Sequence, residues 1–248
     1  QVDVYYQVKN QARRKTQMAV KAALTRDDLQ AAEMTIRAGA TQQLAVLHGL
    51  MTLNGETMTQ KAFCARFDVN EGAIRTAAQK GWLTKVAVEV YRDPYAASDI
   101  PATNALQLNS EQQVAVDKIT QAVEQPATTT FLLEGVTGSG KTEVYLQSMA
   151  AALAQGKTAL MLVPEIALTP QMVQRVRGRF GKAVAVLHSG LSSGEKYDEW
   201  RRIQRGEAQV VVGARSAVFA PLANLGLIVM DEEHESTYKQ DDAPRYHA

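Results

Sequence analysis

At 248 residues, with 46% apolar and 21% charged side chains, the chain has room for one large domain or for two, one of them small, and its composition excludes disordered and collagen-like classes. A single cysteine, Cys64, excludes an internal disulfide framework and a Cys-x-x-Cys zinc site, and it reads as a small buried hydrophobe. The net charge of +1 is divided as +3 over residues 1–40, +1 over 41–95 and −3 over 96–248, so no segment has the basic excess that marks a nucleic-acid binder by charge alone.

The longest apolar runs, Ala159–Val163 and Leu227–Met230, are far short of the ~20 residues of a membrane helix. No basic-then-apolar stretch opens the chain, so no signal peptide is expected. It begins on Gln1 and stops at Tyr246-His247-Ala248, soon after a motif, and reads as a piece of something longer.

In chain order, Lys9, Arg13, Arg14, Lys15 and Lys21 lie in a Gln- and Ala-rich stretch without proline. Residues 1–41 are expected to be a helical connector with a solvated basic face, broken near Asp27-Asp28. Residues 42–94 show sharper patterning. Leu44, Leu47, His48 and Met51 follow helical spacing, which makes His48 a packed histidine, and Asn54-Gly55 stops that helix. Thr59 and Asn70 suit the caps of two more helices, with Ala62, Phe63 and Phe67 inward in one and Ile74, Ala77 and Ala78 inward in the next, which Gly81 ends. Val86, Val88 and Val90 then alternate with Lys85, Ala87, Glu89 and Tyr91, the period of a half-buried strand. Three short helices and a strand-rich wing make a winged-helix pattern. Its third helix exposes Glu71, Arg75, Thr76, Gln79 and Lys80, a mixed face that leaves base reading, non-specific DNA contact and protein interaction all open. Residues 95–107, with Pro94 just before and Pro101 inside, are expected to be a linker.

From Leu108 onward, five apolar runs of strand length alternate with helical stretches. The runs are Thr128–Val136, Thr158–Val163, Ala183–His188, Gln209–Val212 and Leu225–Asp231; the stretches are Glu143–Ala154, Thr169–Phe180 and Ser193–Arg205. Such alternation predicts an α/β lobe with a parallel sheet covered on both faces, whose ligands bind beyond the carboxyl ends of the strands. Gly135-Val136-Thr137-Gly138-Ser139-Gly140-Lys141-Thr142 matches G-x-x-x-x-G-K-[ST] between a strand-like run and a helix. Glycines let consecutive N–H groups wrap a phosphate, Lys141 brings a point charge to the β- and γ-phosphates, and Thr142 brings a hydroxyl for Mg²⁺. The fifth run ends in Asp231-Glu232-Glu233-His234, which places a metal-binding acid at Asp231 and a general base for water at Glu232.

Asp231–His234 resembles the DExH box of superfamily 2 helicases. Together with Leu108-Asn109-Ser110-Glu111-Gln112, Pro164–Gln171 and Gly213–Pro221, it resembles the PriA family of bacterial primosomal helicases, most strongly over residues 108–248. The resemblance implies a RecA-like first helicase lobe of an ATP-dependent, 3′-to-5′ DNA helicase. Such an enzyme restarts stalled forks in the bacterial cytoplasm with ATP and Mg²⁺. The implied partners are single-stranded and forked DNA, other primosome proteins and the single-stranded-DNA-binding protein, with no membrane. It also implies that Gln112 contacts adenine, and that Thr169, Gln171, Arg215 and Ser216 lie against the DNA strand. His234, Tyr238, Lys239, Arg245 and Tyr246 would belong to an aromatic loop coupling ATP to DNA. His188-Ser189-Gly190-Leu191 matches the family's turn after the third strand and serves equally well as a helix-capping loop. Glu235–His247, with Asp241-Asp242 and Pro244 and no apolar period, is expected to be mobile without DNA. The family also carries an amino-terminal DNA-end-binding domain, a second lobe with an arginine finger and a zinc module in that lobe. This sequence matches none of these, so zinc is expected only in the missing second-lobe region. The competing readings are a nucleotide-sensing winged-helix switch that does not translocate and a small-molecule phosphotransferase.

Overall fold

The structure, a computed structural model, describes residues 13–37, 39–95, 100–240 and 245–248. Lys9, Asp241, Asp242 and Pro244 lie outside the described residues. The chain divides into two compact units, with the division between Tyr91 and Arg92.

In the first unit, residues 14–91, strand β1 (Thr16–Ala22) pairs antiparallel with β3 (Leu83–Glu89) from Thr16↔Glu89 to Ala22↔Leu83. It also pairs through Ala19 and Val20 with the two-residue β2 (Met58–Thr59). This corrects the expected helical connector: the stretch before residue 41 supplies a strand and α1 (Arg26–Met34), and both belong to the unit. Gln, Ala and Lys are good helix formers, but per-residue propensities are small, and the full-length ladder with β3 and the burial of Ala19 and Val20 override them.

Helix α2 (Thr41–Leu53) ends at Asn54, whose φ of 47° is left-handed. Helices α3 (Gln60–Phe67) and α4 (Glu71–Gln79) start where Thr59 and Asn70 accept from the N–H groups of Ala62 and Ala73. Leu29, Val46, Leu47, Leu50, Phe63, Ile74, Trp82 and Leu83 fill the core, and Ala62 faces solvent. His48 is not in the packed stripe: it is exposed, with Nε2 2.7 Å from Glu33 Oε1. The buried face of α2 runs through Val46, Leu47, Leu50 and Leu53, rotated by one residue from the expected stripe. Cys64 is half-buried at the margin of this core.

In the second unit, β4 (Thr158–Leu162), β5 (Val184–Leu187), β6 (Val210–Gly213) and β7 (Leu225–Met230) form a parallel sheet in the order β5-β6-β4-β7. Around it pack α5 (Ser110–Glu124), α6 (Lys141–Ala154), α7 (Pro170–Phe180) and α8 (Ser193–Gln204). Alternate strand residues serve opposite faces. Met161, Val186 and Val212 join Met149 and Val173 on one side, and Leu160, Leu162 and Val211 join Ile203 and Tyr238 on the other. Truncating one of these, such as Leu160→Ala, costs about 2–5 kcal/mol.

Thr128–Val136 is not a strand. It has no sheet partner among the described residues, and Leu132 and Val136 are 70% and 79% exposed. β-branched and apolar residues create a preference for extended backbone, but a strand exists only on a paired edge. The described residues of 92–95 and 100–107 make specific contacts with the rest of the second unit. Arg92 pairs with Asp198 at 2.9 Å and Asp93 with Arg177 at 3.0 Å, and Thr103 N–H donates to the Gly178 carbonyl at 2.8 Å. Leu106 adds bonds to Glu143 and Gln147 of α6 at 2.9 and 2.8 Å. Among the described residues, no helix is long and apolar enough to cross a membrane.

Candidate nucleotide site and the hairpin beside it

Gly138 and Gly140 take φ of 82° and 85°, values that disfavour any side chain, and Gly140 leads directly into α6. No side chain caps α6; Glu143 N–H donates to the Gly140 carbonyl at 2.9 Å, and the N–H groups of Lys141 and Thr142 and the positive end of the dipole are left to an anion. A Cβ on Gly140 would come within 2.4 Å of Gln112 Nε2, and one on Gly135 within 2.7 Å of Ser139 Oγ. The loop therefore works only with glycine at these points, as a phosphate cradle requires. Lys141 Nζ donates to the carbonyl of Gly135 and, at 3.3 Å, to that of Val136. A polyphosphate competes with these two carbonyls for the ammonium.

Gln112 is tied into the local structure. Its Oε1 accepts from Asn109 N–H at 3.0 Å in a capping box, and its Nε2 donates to the Ser139 carbonyl at 2.9 Å, bracing α5 against the loop. Glu143, in the first turn of α6, is buried and accepts from both terminal nitrogens of Arg179, at 3.0–3.1 Å, and from Leu106 N–H and Gln147 at 2.9 and 2.8 Å. Burial raises its carboxyl pKa, but the guanidinium fork, Gln147 and Leu106 N–H outweigh that and hold it below the ordinary carboxylate value.

At the end of β7, Asp231 N–H donates to the Leu162 carbonyl at 3.0 Å. Tyr145, from α6, donates its hydroxyl to Asp231 Oδ1 at 3.2 Å, and Tyr238 donates to the Asp231 carbonyl at 2.6 Å. Glu232, Glu233 and His234 continue as an exposed turn, with Glu232 at φ of 50°. The His234–Glu233 pair, 3.9 Å apart in solvent, contributes little. Among the described residues there is no cluster of three His, Cys, Asp or Glu side chains that could hold a metal. The donors present, one carboxylate and the Thr142 hydroxyl beside a phosphate cradle, suit a hard cation shared with phosphate oxygens and water.

The sequence-expected DNA side is less open than anticipated. Thr169 spends its hydroxyl capping α7, accepting from Met172 N–H at 3.3 Å, while Gln171 and Ser216 face solvent. Arg215 donates to the carbonyls of Thr237 and Lys239 at 3.0 and 2.6 Å and to Gln240 Oε1 at 2.9 Å. It also lies 5.5 Å from the Tyr246 ring centroid, and Phe219 meets that ring edge-on at 4.9 Å. Strands β8 (Lys239–Gln240) and β9 (Tyr246–His247) pair antiparallel.

The described residues of Glu235–His247 carry structure that the lack of an apolar period did not predict. Tyr238, only 1% exposed, is part of the core on one face of the sheet and does not present its ring to bases. Lys239, Gln240, Arg245, Tyr246 and His247 line a shallow cavity of about 300 Å³. His188 closes its own turn, with Nδ1 accepting from Gly190 N–H at 3.1 Å. Burial, and after it Lys196, lowers its pKa. Sequence reasoning did not single out Tyr145. The available signal was its spacing: four residues after Lys141 it lies on the same helix face.

The DEAD/DEAH box helicase family model matches residues 109–247. The chain is 48% identical over all 248 residues to the replication restart protein PriA of Bacillus subtilis, covering 31% of that protein. It is 49% identical over 178 residues to PriA of Synechocystis, 71% of this chain and 21% of that one. Against PriA of Treponema pallidum it is 54% identical over 146 residues, 59% of this chain and 22% of that one. The chain thus spans a third or less of the length of these curated relatives. With more than half of its residues inside the family match, and with the glycine cradle and the strand-end acid in place, the chain belongs to the DEAD/DEAH box helicase family.

Proposed function

We propose that this chain is the nucleotide-binding lobe and a winged-helix module of a 3′-to-5′ ATP-dependent DNA helicase that acts in replication restart. The observation that carries the reading is the meeting of two motifs: a glycine cradle opens α6, and that helix is bonded through Tyr145 to the acid at the end of β7. The N–H groups of Gly135–Thr142 hold the phosphates of ATP, and Lys141 neutralises their charge. Thr142 and Asp231 hold Mg²⁺, Glu232 takes the proton of the attacking water, and Gln112 contacts adenine. Thr169, Gln171, Arg215 and Ser216 line the DNA strand, and His234, Lys239, Arg245 and Tyr246 link it to the ATP site. Tyr238 serves that link from inside the core. The module of residues 14–91, with α2, α3 and α4 beside a three-stranded sheet, is the winged helix. Single-stranded and forked DNA, primosome proteins and the single-stranded-DNA-binding protein are the partners.

These residues supply one side of the ATP site, so this chain alone binds nucleotide weakly and turns it over negligibly. The test compares ATP hydrolysis by the full-length protein with and without single-stranded DNA. DNA-stimulated turnover that Lys141→Ala abolishes supports the reading. Hydrolysis indifferent to single-stranded DNA refutes it, as does brisk turnover by residues 1–248 alone that Lys141→Ala abolishes.

A further inference from the structure

Asp231 is anchored from three directions. Its N–H is bonded to β4 through the Leu162 carbonyl, its own carbonyl accepts from the buried Tyr238 hydroxyl, and its Oδ1 accepts from the Tyr145 hydroxyl. The first two fix the backbone, and among the described residues the third alone fixes the carboxylate. We infer that Tyr145 is a positioning residue for the metal-binding acid: by occupying Oδ1 it orients the carboxylate so that Oδ2 is the oxygen presented to a divalent cation. This inference rests on the reading of Asp231 as the metal-holding acid.

Two further features support it. Tyr145 is half-buried against the sheet and stands on α6 four residues after Lys141, so the phosphate cradle and the brace on the acid share one rigid element. The bond also has one direction: an ionised carboxylate can only accept, so the Tyr145 hydroxyl is the donor at 3.2 Å. A carboxylate free to rotate about χ2 loses entropy each time it takes up the cation; one held by a neighbouring donor has already lost it. Such supporting hydrogen bonds to a metal ligand are typically worth ~10–100-fold in metal affinity.

The experiment uses the full-length protein and fluorescent ADP, titrated in EDTA and then across a range of Mg²⁺ concentrations, for wild type, Tyr145→Phe and Asp231→Asn. Phenylalanine keeps the ring and its packing and removes only the donor. For Tyr145→Phe the inference expects metal-free ADP affinity within about twofold of wild type and a half-saturating Mg²⁺ concentration raised about tenfold. Thermal unfolding of each variant checks that the fold is retained. A purely structural role for Tyr145 would move metal-free affinity and Mg²⁺ response together. If Asp231→Asn loses the Mg²⁺ response while Tyr145→Phe keeps that of wild type, the inference is overturned and the metal-site reading stands. If wild type itself shows no Mg²⁺ enhancement, both fall.

Discussion

Glu143 offers the sharpest test of how the lobe is held together. Its carboxylate and the Arg179 guanidinium are each about 10% exposed and joined at 3.0 Å, and the same carboxylate takes Leu106 N–H and Gln147. Glu143→Ala leaves Arg179 as a buried cation without its partner, a defect of about 3–5 kcal/mol. At about 2–4 °C per kcal/mol for a unit of this size, the midpoint of thermal unfolding falls by about 6–20 °C. Hydrogen exchange at the Leu106 amide, which loses its acceptor, accelerates in the same variant. Removing both charges together, as Glu143→Leu with Arg179→Met, recovers most of the loss because no uncompensated charge stays behind. Acid provides an independent check. The folded-state pKa of Glu143 lies below the ordinary value of 4.5, so its contribution is fully present above that pH and drains away as pH falls through the lower, folded value. Wild type therefore loses stability more steeply below pH 4.5 than Glu143→Gln does. A loss under about 1 kcal/mol in Glu143→Ala, or a double variant no better than the single, refutes the reasoning.

The remaining predictions concern the nucleotide site and the hairpin. Lys141→Ala lowers nucleotide affinity in the full-length protein, whereas Glu232→Gln keeps affinity and loses hydrolysis; equal affinity losses in a binding titration contradict the assigned roles. Gly140→Ala combines a φ of 85° with a Cβ 2.4 Å from Gln112 Nε2, so it weakens ADP binding; Gly156→Ala, at φ 70° with open space around it, adds about 1–2 kcal/mol of strain and leaves binding unchanged. Arg215→Ala frees the carbonyls of Thr237 and Lys239 from their clamp, and the amides of the hairpin then exchange faster; unchanged exchange shows that Arg215 does not hold it.

What the sequence discloses is what chemistry or local geometry dictates. The cradle is legible because a phosphate loop needs glycines and lysine at fixed spacing, and four of the five strand-like runs are strands: β4, β5 and β6 are almost wholly buried, and β7, with Val229 buried, pairs along β4 at the sheet edge. Asn54, Thr59 and Asn70 are legible for the same reason, since cap and turn residues act on the backbone a few positions away. What depends on distant partners is hidden. β1 is a strand only because β3, more than sixty residues later, pairs with it. Thr128–Val136 has strand composition but pairs with no strand among the described residues. Tyr238 sits in a polar stretch with no apolar period, and its burial comes from the face that Leu160, Leu162 and Val211 present to it. Arg215 carries the charge expected of a DNA contact, yet three hydrogen bonds to the hairpin are what its position affords.

The burial of Tyr238 changes how DNA would act on the ATP site under the proposed function. In the sequence expectation, DNA orders the segment after Asp231 and two tyrosine rings are available to stack. Tyr238 is already in the core, bonded to Asp231, so it gains nothing from DNA. That leaves Tyr246, half-exposed, as the hairpin's tyrosine, next to the exposed imidazole of His247. One ring stacking on one base is worth ~1–3 kcal/mol, and under the proposed function Tyr246 supplies one such contact. The transmitted change is correspondingly different. Arg215 holds the backbone of Thr237 and Lys239, Tyr238 between them holds Asp231, and Asp231 holds Tyr145 on the helix of the phosphate cradle. A displacement of Arg215 or Tyr246 by DNA therefore reaches the acid as a small shift of packed, hydrogen-bonded parts, not as the folding of a loop. Double-mutant cycles between Arg215 and Tyr145 measure whether that chain carries coupling energy.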